Sequence, residues 1–138
     1  MTTTTPLDVI TQIANDLVEH SKADIPADEF ADHDAKIWDK HFAESWTSIE
    51  GDGKVYVGRE AVIGKYKEWA SGVIMHGCEV TGPFVGPNGF SVIFDLDMES
   101  KNASFPRMTM REVANYTVEG GKITKEEFRF PPMPAGGC

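Results

Sequence analysis

Between residues 73 and 130 the chain reads as four successive strands, each with one apolar face, and no fold open to this sequence can leave those faces uncovered. The runs are 73–85, 90–98, 108–118 and 122–130. Gly86-Pro87-Asn88-Gly89 and Glu119-Gly120-Gly121 are hairpin signals, and residues 100–107 form a longer loop. A sheet built from such strands is oily on one side and wet on the other, so the first half of the chain must supply a cover.

That cover reads as helical. Thr5 is placed to cap a first helix, with Pro6 at its first position and Asp8 in its first turn. Leu7, Ile10, Ile13, Ala14, Leu17 and Val18 then recur at three and four, and the helix is expected to end near His20. Ile25-Pro26 restarts the chain. Phe30, Ile37, Trp38 and Phe42 suggest a second helix, interrupted around Asp32-His33-Asp34. From Glu44 the period changes to two, with Trp46, Ser48 and Glu50 alternating against Ser45, Thr47 and Ile49 in a short strand. After the turn cluster Gly51-Asp52-Gly53 comes a brief strand, Val55-Tyr56-Val57. Gly58 then releases a central helix whose apolar positions are Val62, Tyr66 and Trp69.

A length of 138 residues suits one domain over 1–138, with residues 131–138 a Pro/Gly tail lacking periodicity. The formal charge of −9 disfavours phosphate backbones and anionic membranes as partners, because both would repel the chain on approach. No apolar run approaches the roughly 18 residues of a spanning helix. The first residues carry neither the basic nor the apolar region of a signal peptide, which makes the cytoplasm the expected location. Two cysteines, Cys78 and Cys138, are too few for a disulfide framework.

Hairpin register decides which side chains share a face. A three-residue Pro87-Asn88-Gly89 loop with Gly89 left-handed would pair Gly86 with Phe90. That places His76, Cys78, Val80 and Phe84 beside Phe90, Val92, Phe94, Leu96 and Met98. Glu79, Thr81, Asp95, Asp97 and Glu99 fall on the wet side. The second turn permits a two-residue Gly120-Gly121 loop or a three-residue Glu119-Gly120-Gly121 loop. The longer is preferred, because it gathers Met108, Met110, Ala114, Tyr116 and Val118 with Phe128 and Phe130, at the cost of turning Ile123 outward. It also brings Glu112 and Glu126 onto the oily face as diagonal neighbours, roughly 7–8 Å apart at the backbone.

The order of two front helices, the helix start Val57-Gly-Arg-Glu-Ala-Val62 and four strands closing on Glu119-Gly-Gly-Lys-Ile-Thr-Lys-Glu-Glu-Phe-Arg-Phe resembles the SnoaL-like branch of the NTF2-like superfamily. Further matching fragments are Trp46-Thr-Ser-Ile-Glu50, Thr81-Gly-Pro-Phe-Val85, Phe90-Ser-Val-Ile-Phe-Asp95 and Glu112-Val-Ala-Asn-Tyr116, so the likeness covers roughly residues 6 to 130. The resemblance implies an α+β cone: a curved antiparallel sheet wrapped against N-terminal and central helices, with a pocket at its open end and dimerisation through the sheet. Its members include cyclases, isomerases, hydrolases and binding subunits, so fold does not choose among them. The catalytic Asp and Tyr of those enzymes have no matching motif here.

Two carboxyl groups on a concave apolar face resist ionising together, so Glu112 and Glu126 are the candidate acid–base pair, with His76 as a candidate base on the same face. The competing expectation is that each carboxylate bonds an inward Arg, Trp or Tyr and stabilises the cone. Trp46, Glu50, Tyr56, Tyr66, Trp69, Phe94, Met110, Tyr116 and Phe128 are the candidate ligand-binding residues. Cys78 is expected in the core. Asp32-His33-Asp34 with His41 does not bring metal ligands together at helical spacing, so no metal is expected. No phosphate-cradling loop or dinucleotide fingerprint occurs, and no cofactor is expected. The functional expectation is a small apolar ligand held in the cone, with cofactor-free isomerase, cyclase or hydrolase chemistry by carboxylates. The alternatives are a non-catalytic binding module, or a homodimeric scaffold whose cone is filled by side chains.

Overall fold

The computed structural model describes residues 4–23, 25 and 29–130. The expected restart at Pro26, the 131–138 tail and its Cys138 lie outside them. Three helices, α1 (Leu7–Lys22), α2 (Phe30–His41) and α3 (Arg59–Gly72), accompany six strands. The strands are β1 (Phe42–Ile49), β2 (Val55–Val57), β3 (Val73–Gly86), β4 (Gly89–Ser100), β5 (Met108–Glu119) and β6 (Lys122–Arg129). They form one curved, unclosed sheet in the order β2-β1-β6-β5-β4-β3. All pairings are antiparallel except β1 with β6, which run parallel and set Ser48 beside Glu126. The short alternating segment of the first half thus becomes an inner strand, and α2 leads straight into it.

α1 buries Ile10, Ile13, Ala14, Leu17 and Val18, as the spacing predicts, while Leu7 is exposed. Its start differs from expectation: Pro6 stands at the N-cap with no side-chain cap. The Thr5 hydroxyl instead accepts a hydrogen bond from the Gly121 backbone N–H at 3.1 Å, pinning the chain start to the β5–β6 turn. α2 is unbroken through Asp32-His33-Asp34 and buries Ile37, Trp38 and His41. Gly58 has φ 90° and ψ 151°, a conformation essentially confined to glycine, and it turns the chain from β2 into α3. Arg59 then ties α3 to α2, donating to the Trp38 carbonyl at 3.2 Å and pairing with Asp39.

Both hairpins correct the expected register. The first turn is a two-residue Pro87-Asn88 loop pairing Gly86 with Gly89, and Gly89 has no positive φ. Glycine is needed there for proximity, because a Cβ would lie 1.9 Å from the Tyr116 carbonyl oxygen. Two irregularities in β3, between Met75 and Gly77 and between Thr81 and Phe84, then reset which residues face inward. Cys78 and Val80 stay opposite Leu96 and Phe94, but Met75 replaces His76 on the inner face and Phe84 turns out to solvent.

The second turn is also the two-residue form, with Gly120 at φ 58° and Gly121 at φ 79°, and Glu119 pairs with Lys122. Ile123 is therefore fully buried rather than outward. A bulge between Thr117 and Val118 shifts the pairing by one residue, so that Tyr116 faces Glu126 and Ala114 faces Phe128. The facial assignment of Glu126 and Phe128 survives because the bulge restores the parity that the shorter turn removes. Their neighbours do not survive. Glu126 lies opposite Tyr116, four residues from Glu112, so the two residues are about 13 Å apart along the strands at the backbone rather than diagonal neighbours.

Candidate functional site

A cavity of about 510 Å³ occupies the cone between α3 and the inner face of β3–β6. Seven of the expected ligand-binding residues lie on its wall: Glu50, Tyr66, Trp69, Phe94, Met110, Tyr116 and Phe128. Glu112 is there too. Its outer half is apolar, with Met75, Leu96, Met98, Phe105 and Phe130, so the aromatic side chains do not fill the cone. Periodicity placed Leu96, Met98 and Phe130 on the oily face. Met75 needed the β3 bulge, and Phe105 sits in a loop whose sequence carries no periodic signal.

Trp46 and Tyr56 do not line this cavity. Trp46 is wholly buried behind it, packed at 4.3 Å between ring centroids against Phe42, and Tyr56 packs at the core's edge. His76 is a correction as well. The β3 irregularity puts it on the exposed face, where its Nε2 lies 2.6 Å from Glu99 Oε1. Cys78, expected in the core, is solvent-accessible at the cavity wall, and desolvation together with Glu112 and Asp95 pushes its thiol up to about 11.

The two carboxylates have opposite surroundings. Glu126 is 1 % exposed and held by hydrogen bonds from Trp46 Nε1 at 2.8 Å, Ser48 Oγ at 3.0 Å and the Tyr66 hydroxyl. Lys65 Nζ stands 3.6 Å away. Lys65 was absent from the sequence-based candidates, yet it organises this end of the cone. Its ammonium is 2.6 Å from Glu50 Oε1, donates to Ser48 Oγ at 2.8 Å and lies 3.9 Å from the Tyr66 ring centroid. Burial raises the Glu126 pKa, while Lys65 and the three donors pull it back down. Tyr66 and Tyr116 are pushed well above the usual phenol range, chiefly by burial and then by Glu126.

Glu112 has no hydrogen-bond or ion-pair partner among the described residues. Burial raises its pKa to about 7, with Glu50 and Glu126 adding to the rise and Lys65 opposing it. Half ionised near neutrality and facing an open cavity, this carboxyl can both give and accept a proton. The one signal that could have singled it out over Glu126 was the absence of a nearby Trp, Ser or Tyr donor, and that depended on pairing β6 with β1.

A smaller cavity of about 140 Å³ lies on the other side of Tyr66 and Tyr116, between Glu126 and the α1–α2 cleft. His20 and Asp34 of its wall, together with His33, offer ligand atoms within 4.8 Å of one another. The His20 and His33 rings are stacked at 3.8 Å and 7°, so their in-plane lone pairs cannot converge on one ion without a ring turning. His41 is occupied by Asp16 at 2.8 Å.

Comparison with known proteins fits this architecture. A SnoaL-like polyketide cyclase from Mesorhizobium loti, so named provisionally and with carbohydrate phosphatase bracketed beside it, is 34% identical, with 86% of this chain and 97% of that one covered at a TM-score of 0.73. A ketosteroid isomerase-like fold protein from Catenulispora acidiphila, crystallised with trimethylamine, is 15% identical over 85% of this chain and 83% of that one, at a TM-score of 0.59. A provisionally named polyketide cyclase from Xanthomonas campestris is 16% identical over 87% and 91%, also at 0.59. The latter two likenesses are of fold alone. No curated protein matches the sequence. The SnoaL-like domain model matches residues 25–130, a range that holds α2, α3 and all six strands but not α1. The chain is a member of the SnoaL-like family, with the NTF2-like α+β fold.

Proposed function

We propose that this protein binds a small, largely apolar molecule in its cone and that Glu112 exchanges a proton with the polar group of that molecule. The observation that carries the proposal is the contrast between the two carboxylates. Glu126 is committed to Trp46, Ser48, Tyr66 and Lys65, whereas Glu112 faces about 510 Å³ of open space with no partner among the described residues. Its pKa of about 7 suits acid–base catalysis at neutral pH, which supports cofactor-free isomerase- or cyclase-type chemistry. Glu126 acts in this reading as the anchor that fixes Tyr66 and Lys65. A non-catalytic binding module is the second reading, favoured by how completely Glu126 is tied. The same proposal places the protein in the cytoplasm and pairs two copies through the outer sheet face, where Ile74 and Phe84 are exposed.

Native mass spectrometry of the purified protein, followed by structure determination with any co-purifying molecule, tests the binding claim. The expected result is a neutral or basic organic ligand in contact with Glu112. With the substrate in hand, Glu112→Gln is expected to lower kcat by about 10²-fold or more, the usual contribution of a general acid or base, at unchanged fold. Unchanged turnover would remove Glu112 from the chemistry and leave the binding module.

A further inference from the structure

Resting on the reading that the cone is a ligand site, we infer that its ligand is a protonated amine carried on a ring-bearing apolar body. The charge balance of the cavity's inner end points there. Three carboxyl groups, Glu50, Glu112 and Glu126, surround one ammonium, Lys65, and that ammonium is already committed to Glu50, Ser48 and Glu126. Glu126 has three donors of its own. Among the described residues the group left without a partner is Glu112, and that is where the site lacks a positive charge. Phe94 lies opposite Glu112 in the β4–β5 pairing and Phe128 lines the same cavity, and aromatic ring faces attract cations and repel anions. The whole chain carries −9, which steers cations in and carboxylates away.

This composition excludes anionic ligands on the same grounds. A carboxylate or phosphate placed beside Glu112 would add a second unpaired negative group to a desolvated space with no free cation among the described residues. A neutral ketone needs Glu112 protonated in order to receive a hydrogen bond. An ammonium group needs Glu112 ionised. The two classes therefore depend on pH with opposite sign. Other groups bearing on Glu112 are Glu50, Glu126, Lys65, Tyr66, Tyr116 and Cys78.

Three probes with a shared body separate these cases: 1-naphthylmethylamine, 1-naphthyl methyl ketone and 1-naphthylacetate, titrated calorimetrically into the full chain at pH 6 and pH 8. With Glu112 titrating at about 7, its ionised fraction rises about tenfold across this interval. The amine is expected to bind about tenfold tighter at pH 8, the acetate not to bind, and Glu112→Gln to abolish the amine's pH dependence and weaken it at least tenfold at pH 8. The proposal is overturned if the acetate binds as tightly as the amine, or if Glu112→Gln leaves amine affinity unchanged. Ketone binding that weakens from pH 6 to pH 8, with no amine binding, would overturn the amine but leave the proton-exchange reading standing. Failure of all three probes on a folded protein would count against both.

Discussion

Replacing Lys65 with Met tests whether the polar end of the cone is held by that single ammonium. Methionine keeps most of the side chain's volume and its path across the Tyr66 ring, so the packing change is small. What disappears is the countercharge between Glu50 and Glu126, together with the hydrogen bond to Ser48. Removing one partner of a buried ion pair costs about 3–5 kcal/mol, because the other charge is left without compensation. The Glu50 side chain is 25% exposed and recovers some hydration, which brings the expectation to about 3 kcal/mol at pH 8. For a chain of this length that corresponds to a fall of about 12 °C in Tm.

The sign of its pH dependence distinguishes electrostatics from packing. Lys65 lowers the pKa of both Glu112 and Glu126, so its loss raises both further. A carboxyl whose folded pKa lies above its unfolded value holds extra protons in the native state. Its stabilising contribution is present at low pH and is lost as pH rises through the folded value. The deficit of Lys65→Met is therefore expected to shrink to about 1 kcal/mol at pH 5, where protonation replaces the missing cation. Urea titrations of both proteins at pH 5 and pH 8 measure it. Equal deficits at the two pH values, or a loss below about 0.5 kcal/mol at pH 8, would refute the argument.

Glu112→Gln is expected to stabilise the protein above pH 7. Raising this carboxyl from 4.5 to about 7 costs about 3 kcal/mol once it is ionised, and that loss accumulates as pH rises between those values. Urea midpoints from pH 5 to pH 8 should fall in the native protein and stay flatter in the variant; parallel curves would sink the assignment. Gly89→Ala is expected to destabilise by about 3 kcal/mol or more, since its Cβ would meet the Tyr116 carbonyl at 1.9 Å and neither strand can yield without breaking pairing. A thermal midpoint within 2 °C of the native one, measured by circular dichroism, would contradict that reasoning.

What local chemistry could determine, the chain carried openly. The α1 stripe, the Gly58 break into α3, the four strand segments and the alternation of Trp46, Ser48 and Glu50 all express a period or a turn residue, and each of those acts over a few neighbouring residues. The oily faces of β4 and β5 followed from them, as did most of the cavity wall and the inward Glu112, whereas Glu126 and Phe128 kept their face only because the bulge offset the shorter turn. Position along the strands did not follow. A bulge inserts one residue without a distinctive sequence mark, so His76 exchanged places with Met75 and the β5–β6 pairing slid until Glu126 faced Tyr116.

Only the tertiary structure chose between the two carboxylates. The parallel pairing of β1 with β6 joins strands about 80 residues apart in the chain, and it delivers Trp46 and Ser48 to Glu126. α3 folds over the same end and brings Tyr66 and Lys65. Those are long-range meetings that no local pattern encodes, and they satisfy one glutamate while leaving the other facing the cavity. The sequence by itself, through strand alternation, set Glu112 among the apolar residues of β5; that Glu126 joined it inside the cone depended on the β5–β6 bulge, and which of the two stayed free was decided by what the distant strand and helix brought beside it.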